Sequence, residues 1–131
     1  MKQCQLEDRA VKYLCLIYDE EKKLESMPAS EMDSFMGEYR AFGQELRANG
    51  KHIASDQLQP SQTATTVRIR NGRTSTTDGP FAETREQLGG FYMIDARDLN
   101  DAIQVAAKIP SARTGSIEVR PIVPPRQQPQ S

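Results

Sequence analysis

Four side chains in one short run have the types and spacing to do chemistry: Asp78, Phe81, Glu83 and Glu86, within Thr77-Asp78-Gly79-Pro80-Phe81-Ala82-Glu83-Thr84-Arg85-Glu86. The Gly79-Pro80 pair marks a turn, because glycine accepts positive φ and proline fixes its own φ and has no N–H to donate. Such a turn projects the Asp78 carboxylate beside Phe81. Held in a cleft there, it would have a raised pKa, fit for a general base or for anchoring a polar ligand. The competing structural role is a turn cap, with Asp78 accepting backbone N–H groups. Glu83 and Glu86 share a side if Ala82–Leu88 forms a helical turn. Paired carboxylates suit acid–base work, and a charged surface turn explains them as well. Asp78 is thus the candidate catalytic residue, and Phe81, Glu83 and Glu86 are the candidate substrate contacts.

The rest of the chain offers little competing chemistry. His52 is the only histidine. Strand alternation puts Asp56 on its face but roughly 13 Å away, which leaves the imidazole without an orienting partner. Cys4 and Cys15 have no metal-ligand spacing and read as reduced thiols, with Cys15 a small core hydrophobe. No Ser-His-Asp order, zinc spacing or acidic metal cluster can be assembled, so neither metal nor cofactor is expected. Gly89-Gly90 lacks phosphate-loop spacing. Lys and Arg number 17 against 18 Asp and Glu, a net charge of -1. That balance argues against nucleic acid as a partner. No apolar run approaches the ~20 residues of a membrane span, and Met1–Ala10 is too polar for a signal peptide. A cytoplasmic protein is the expectation.

The positioning elements follow from periodicity. At 131 residues the chain is long enough for one domain. Val11–Tyr18 is almost wholly apolar or aromatic, as in a central strand covered on both faces, and Gly90–Asp95 is similar. Between them, Ser30 is placed to cap a helix whose apolar stripe is Met32, Phe35, Met36, Tyr39, Phe42 and Leu46. Asn49-Gly50 ends it. Lys51–Leu58 reads as a poorly patterned strand. Asn71-Gly72 between β-branched runs predicts a hairpin, with Val67 and Ile69 inward and Arg68 and Arg70 outward. Asp98 caps a second helix with Leu99, Ala102, Ile103, Ala106 and Ala107 inside, and Ile117–Arg120 is the last strand. Residues 1–10 are expected to be a flexible extension, 11–123 the domain, and 124–131 a disordered tail.

Strand, helix, strand, hairpin, strand, helix, strand describes an α+β ferredoxin-like sandwich with an extra hairpin. Both helices would cover one sheet face. The other, apolar face would then be covered by a second copy, giving a homodimer of the dimeric α+β barrel type.

Several of these segments resemble the DGPF branch of the YCII-related family: Tyr13–Tyr18, the block TDGPFAETRE at Thr77–Glu86, Leu88-Gly89-Gly90-Phe91-Tyr92, the AIQVAAKIP helix end, and IEVRP at Ile117–Pro121. The resemblance covers about residues 11–123 and implies a dimeric ferredoxin-like barrel. It also implies either a small-molecule enzyme or binder, or a regulatory module, since some members occur near or fused to extracytoplasmic-function sigma factors. Other members are proposed enzymes with a His–Asp pair, one with a dehydrochlorinase-type activity. Here Ser30-Glu31-Met32 stand where that histidine is expected, so only Asp78 carries over. Two functions therefore remain: a dimeric small-molecule-binding protein or enzyme with its pocket at Asp78–Phe81, and a non-catalytic dimeric module in which the same corner builds a turn and a seam.

Overall fold

The computed structural model describes residues 11–125. The expected N-terminal extension and most of the expected tail lie outside the described residues, as does Cys4. Six strands and four helices form a mixed α+β architecture in which every strand pairing is antiparallel. β1 (Val11–Asp19), β2 (His52–Gln57), β5 (Gln87–Ala96) and β6 (Ser116–Pro121) make one sheet in the order β2-β5-β1-β6. β3 (Thr65–Arg70) and β4 (Arg73–Asp78) form a separate two-stranded ribbon.

Alternation along β1 decides which face is the core. Tyr13, Cys15, Ile17 and Asp19 are buried, whereas Leu14, Leu16 and Tyr18 are only half-buried. The buried set meets Ile94 and Ala96 of β5 beneath the long helix α2 (Ala29–Ala48) and the helix α3 (Leu99–Ala106), through Phe42, Leu46, Ala102, Val105 and Ala106. Both helices therefore cover one face. On the other face Leu14 sits opposite Met93 and Leu16 opposite Phe91, all four half-buried. Among the described residues β1 is thus not enclosed on both sides.

Several expectations need correction. α2 begins at Ala29 after Pro28, so Ser30 lies inside the first turn and caps nothing. A short helix, α1 (Glu21–Glu25), follows β1 where no element is expected from the sequence. In α3 the Asp98 cap is confirmed, its carboxylate accepting from the Asp101 N–H at 2.9 Å. The inner stripe is nonetheless Ala102, Val105 and Ala106, while Leu99 and Ile103 are 51% and 49% exposed. The cause is Asp101, which is buried facing inward. It accepts from the Arg97 N–H at 3.0 Å and Lys51 Nζ at 3.2 Å, and so fixes the rotation of the helix. A last short helix, α4 (Ser111–Thr114), leads into β6.

The hairpin forms where Asn71-Gly72 predicts it. Both turn residues take positive φ, 53° and 75°, as a type I′ turn requires. Val67 and Ile69 do not face inward: they are 60% and 62% exposed, because the ribbon projects from the body and nothing among the described residues covers it. Its base is closed on itself. The Gly79 N–H donates to Ala64 O at 2.7 Å, and Thr66 Oγ1 donates to Gly79 O at 2.8 Å.

Candidate ligand-binding cavity

The stripe on α2 does two different jobs. Phe42 and Leu46 enter the core, and Phe42 packs edge-on against Tyr92 with ring centroids 5.0 Å apart. Nearer the start of the helix, Met32, Met36 and Tyr39 are half-buried and line a cavity of about 630 Å³ between α2 and the β2–β5 side of the sheet. Gly43 on α2 and Gly89 on β5 contribute no side chain to its walls. This volume falls in the range of roughly 300–1,000 Å³ typical of small-molecule sites. The wall is mostly apolar, with polar groups gathered at two ends.

At one end stands Asp19, the last residue of β1. Its Oδ1 accepts from Thr114 Oγ1 at 2.7 Å, and its Oδ2 accepts no hydrogen bond among the described residues. Beside it Tyr39 donates its hydroxyl to Ser111 Oγ at 2.6 Å, where Ser111 is 1% exposed. Burial pushes the Tyr39 phenol up to about 12, and the nearby Asp19 charge adds to the rise. Tyr39 therefore stays protonated and acts as a donor. The junction is tight. A Cβ on Gly115 would lie 1.9 Å from Tyr18 O and 2.6 Å from Asp19 Oδ1, so only glycine lets β6 begin there.

α1 closes this end. Both Glu21 carboxylate oxygens are occupied by Ser61, accepting from its N–H at 2.7 Å and its Oγ at 2.8 Å. The Glu21 N–H donates to Gln87 Oε1 at 2.9 Å, which ties α1 to the first residue of β5. Glu25 also lines this end and has no ion pair or hydrogen bond among the described residues.

At the far end are Tyr92, Arg47 and Ser55. Burial pushes the Tyr92 phenol up, and the Arg47 guanidinium partly offsets this. Neither Tyr92 Oη nor Arg47 has a hydrogen bond or ion pair among the described residues. Ser55 Oγ lies 2.8 Å from His52 Nε2, and the imidazole stands edge-on to Tyr92 with centroids 6.3 Å apart. A regular strand would put His52 and Ser55 on opposite faces, but an irregularity between His52 and Ala54 shifts the register. Ser55 thus pairs with Tyr92, and Asp56 with Phe91. The expectation that His52 shares a face with Asp56 fails for this reason. No sequence signal marks the bulge.

The four residues singled out from the sequence lie elsewhere. Asp78 ends β4 on the surface, and its carboxylate accepts no hydrogen bond among the described residues. Gly79 takes φ 95°, as a turn glycine should. Phe81 is 79% exposed, Glu83 is exposed and Glu86 is half-buried. No helical turn joins Glu83 to Glu86, since residues 81–86 are irregular. None of the four lines the cavity. Their link to it is indirect: Gln87 holds the loop by donating Nε2 to Thr84 O at 2.6 Å, and Arg85 pairs with Glu20 at 3.2 Å.

Among the described residues no group of His, Cys, Asp and Glu side chains could hold a metal ion, and no helix is long and apolar enough to cross a membrane. Comparison with known proteins finds a YCII-related domain over residues 11–126. An uncharacterised protein of Rhizobium meliloti is 38% identical over 112 residues, covering 84% of this chain and 90% of that protein.

Proposed function

The chain belongs to the YCII-related family, and on that premise we propose that it is a small-molecule-binding protein or enzyme whose ligand occupies the cavity beneath α2. The observation that carries this reading is the pairing of a large apolar space with polar groups at both ends that make no side-chain hydrogen bond there among the described residues: Asp19 Oδ2 at one, Tyr92 and Arg47 at the other. Such convergence of a few polar groups in an apolar cleft is how ligand sites differ from packing defects. If the site is catalytic, Asp19 is its proton acceptor and Tyr39 its proton donor. The test is calorimetric titration with decanol, a neutral amphiphile that needs only the apolar wall. Saturable binding at one site per chain, abolished by Gly43→Phe, supports the reading. Absence of binding to the unaltered protein overturns it.

The same chain is proposed to work as a homodimer of the ferredoxin-like, dimeric-barrel type in the DGPF branch. Supporting this are the strand order β2-β5-β1-β6, both long helices on one face, and the apolar Leu14, Leu16, Phe91 and Met93 on the other. A face of that kind is a dimer seam more readily than a wet surface. The corner of Asp78, Phe81, Glu83 and Glu86 enters this reading as a site that a second copy completes. Light scattering should give twice the 14.7 kDa chain mass, and a monomer at micromolar concentration would refute the dimer.

A second reading, a non-catalytic regulatory module, is favoured by the ribbon of β3 and β4. Its exposed Val67 and Ile69, with Phe81 beside its base, form an arm with no covering among the described residues. Removing residues 65–78 would separate the two. Decanol binding survives if the cavity is the working site, and partner association is lost if the arm is.

A further inference from the structure

The two ends of the cavity differ in charge, and the difference runs along its length. Asp19 and Glu25 supply free carboxylate oxygens at the α1 end, where Glu21 is already occupied by Ser61; the exposed Arg40 also lines the wall and pairs with neither carboxylate among the described residues. Arg47 and Tyr92 supply free donors at the other. Tyr92 is directly opposite Cys15 on β1, four residues from Asp19, so the ends are separated by roughly 13 Å of strand. Between them the wall is largely apolar, built by Met32, Met36, Phe35 and Ile17, with Arg40 and Gln44 the polar exceptions on α2. Methionines adapt to chains of varied shape, as an apolar spacer requires.

Resting on the cavity reading above, we propose that the ligand is an elongated zwitterion: a carboxylate and an ammonium group joined by an apolar chain. The carboxylate meets the Arg47 guanidinium and the Tyr92 hydroxyl, and the ammonium meets Asp19. Each contact follows from an unmet need. A carboxylate as secluded as Asp19, with one hydroxyl for company, gains from a cationic donor at its second oxygen. Tyr92 is a half-buried phenol whose raised pKa keeps it protonated and able to donate, and Arg47 adds positive charge on the same side. A simple fatty acid would leave Asp19 facing its methyl end, and a simple amine would leave Arg47 and Tyr92 unanswered.

The experiment is calorimetry on the full chain with ω-aminodecanoate, decanoate, decylamine and decanol. The zwitterion should bind at least roughly tenfold tighter than either singly charged probe, a difference of about 1.4 kcal/mol. Asp19→Asn, which keeps the acceptor for Thr114, should remove its advantage over decanoate. Tyr92→Phe and the exposed Arg47→Met should each reduce its advantage over decylamine without changing decanol binding. Equal affinity for decanol and ω-aminodecanoate overturns the inference while leaving the cavity intact. Failure of all four probes overturns both.

Discussion

Replacing Gly43 by alanine tests the cavity through the stability of the helix that roofs it. Gly43 is interior to a 20-residue helix, where glycine costs about 0.5–1 kcal/mol relative to alanine. The added methyl would meet only the Arg47 side chain, with Nη1 at 3.1 Å and Cζ at 3.8 Å. Arg47 is exposed and makes no ion pair among the described residues, so its guanidinium can move a few tenths of an ångström at little cost. The helix term should therefore win. Gly43→Ala is expected to be more stable by about 0.5–1 kcal/mol, raising Tm by roughly 2–5 °C for a chain of this size. The same methyl enters the ligand space, so decanol affinity should fall. Scanning calorimetry and titration on one preparation measure both. A lower Tm would mean that α2 rests on something at Gly43, which refutes the open space. A higher Tm with unchanged affinity would place the ligand elsewhere.

Gly115→Ala should do the opposite and strongly destabilise, by about 3 kcal/mol or more, because its Cβ would collide with the Tyr18 carbonyl and backbone cannot swing aside; urea unfolding reads the loss directly. Asp78→Asn should leave the unfolding free energy within about 0.5 kcal/mol of the parent chain, since the exposed carboxylate caps nothing; a loss near the roughly 1 kcal/mol of a removed cap would refute that geometry. The acid limb of stability depends on Asp101. The Arg97 N–H bond, then Lys51, holds its carboxyl below the ordinary 3.8. Its folded pKa is depressed, so its contribution is complete above the ordinary value and is lost as pH falls towards the folded one. Stability of the parent chain and Asp101→Asn should differ by a constant amount at neutral pH and converge below about pH 4. Parallel curves down to pH 2 would show that the carboxylate is not held.

The sequence declares those parts of the fold that depend on near neighbours. Val11–Asp19 is a strand because its side chains are apolar, the Asn71-Gly72 turn needs only two residues, and Asp98 finds its partner N–H three residues on. What depends on distant contacts is harder to see. The Met–aromatic stripe of α2 reads as core, and Met32, Phe35, Met36 and Tyr39 of it line open space, because periodicity gives the face of a helix and not its distance from the sheet. Val67 and Ile69 alternate as buried residues do, yet none of the described residues lies over them. His52 and Ser55 meet only through a register irregularity in β2. Asp19 carried the one available hint, a charged residue closing a strand that is otherwise apolar or aromatic from Tyr13 onward. The Asp78–Phe81 run drew attention through its chemistry, and the chain folds it to the surface.

The projecting ribbon has a practical consequence. Arg68, Arg70 and Arg73 crowd around its tip, every residue in it but Thr66 is exposed, and a lone pair of strands opens readily in water. Brief trypsin treatment should nick the chain there first and leave the four-stranded sheet whole. The arm can thus be cut in otherwise native protein, and what it contributes to self-association can be measured without rebuilding the gene.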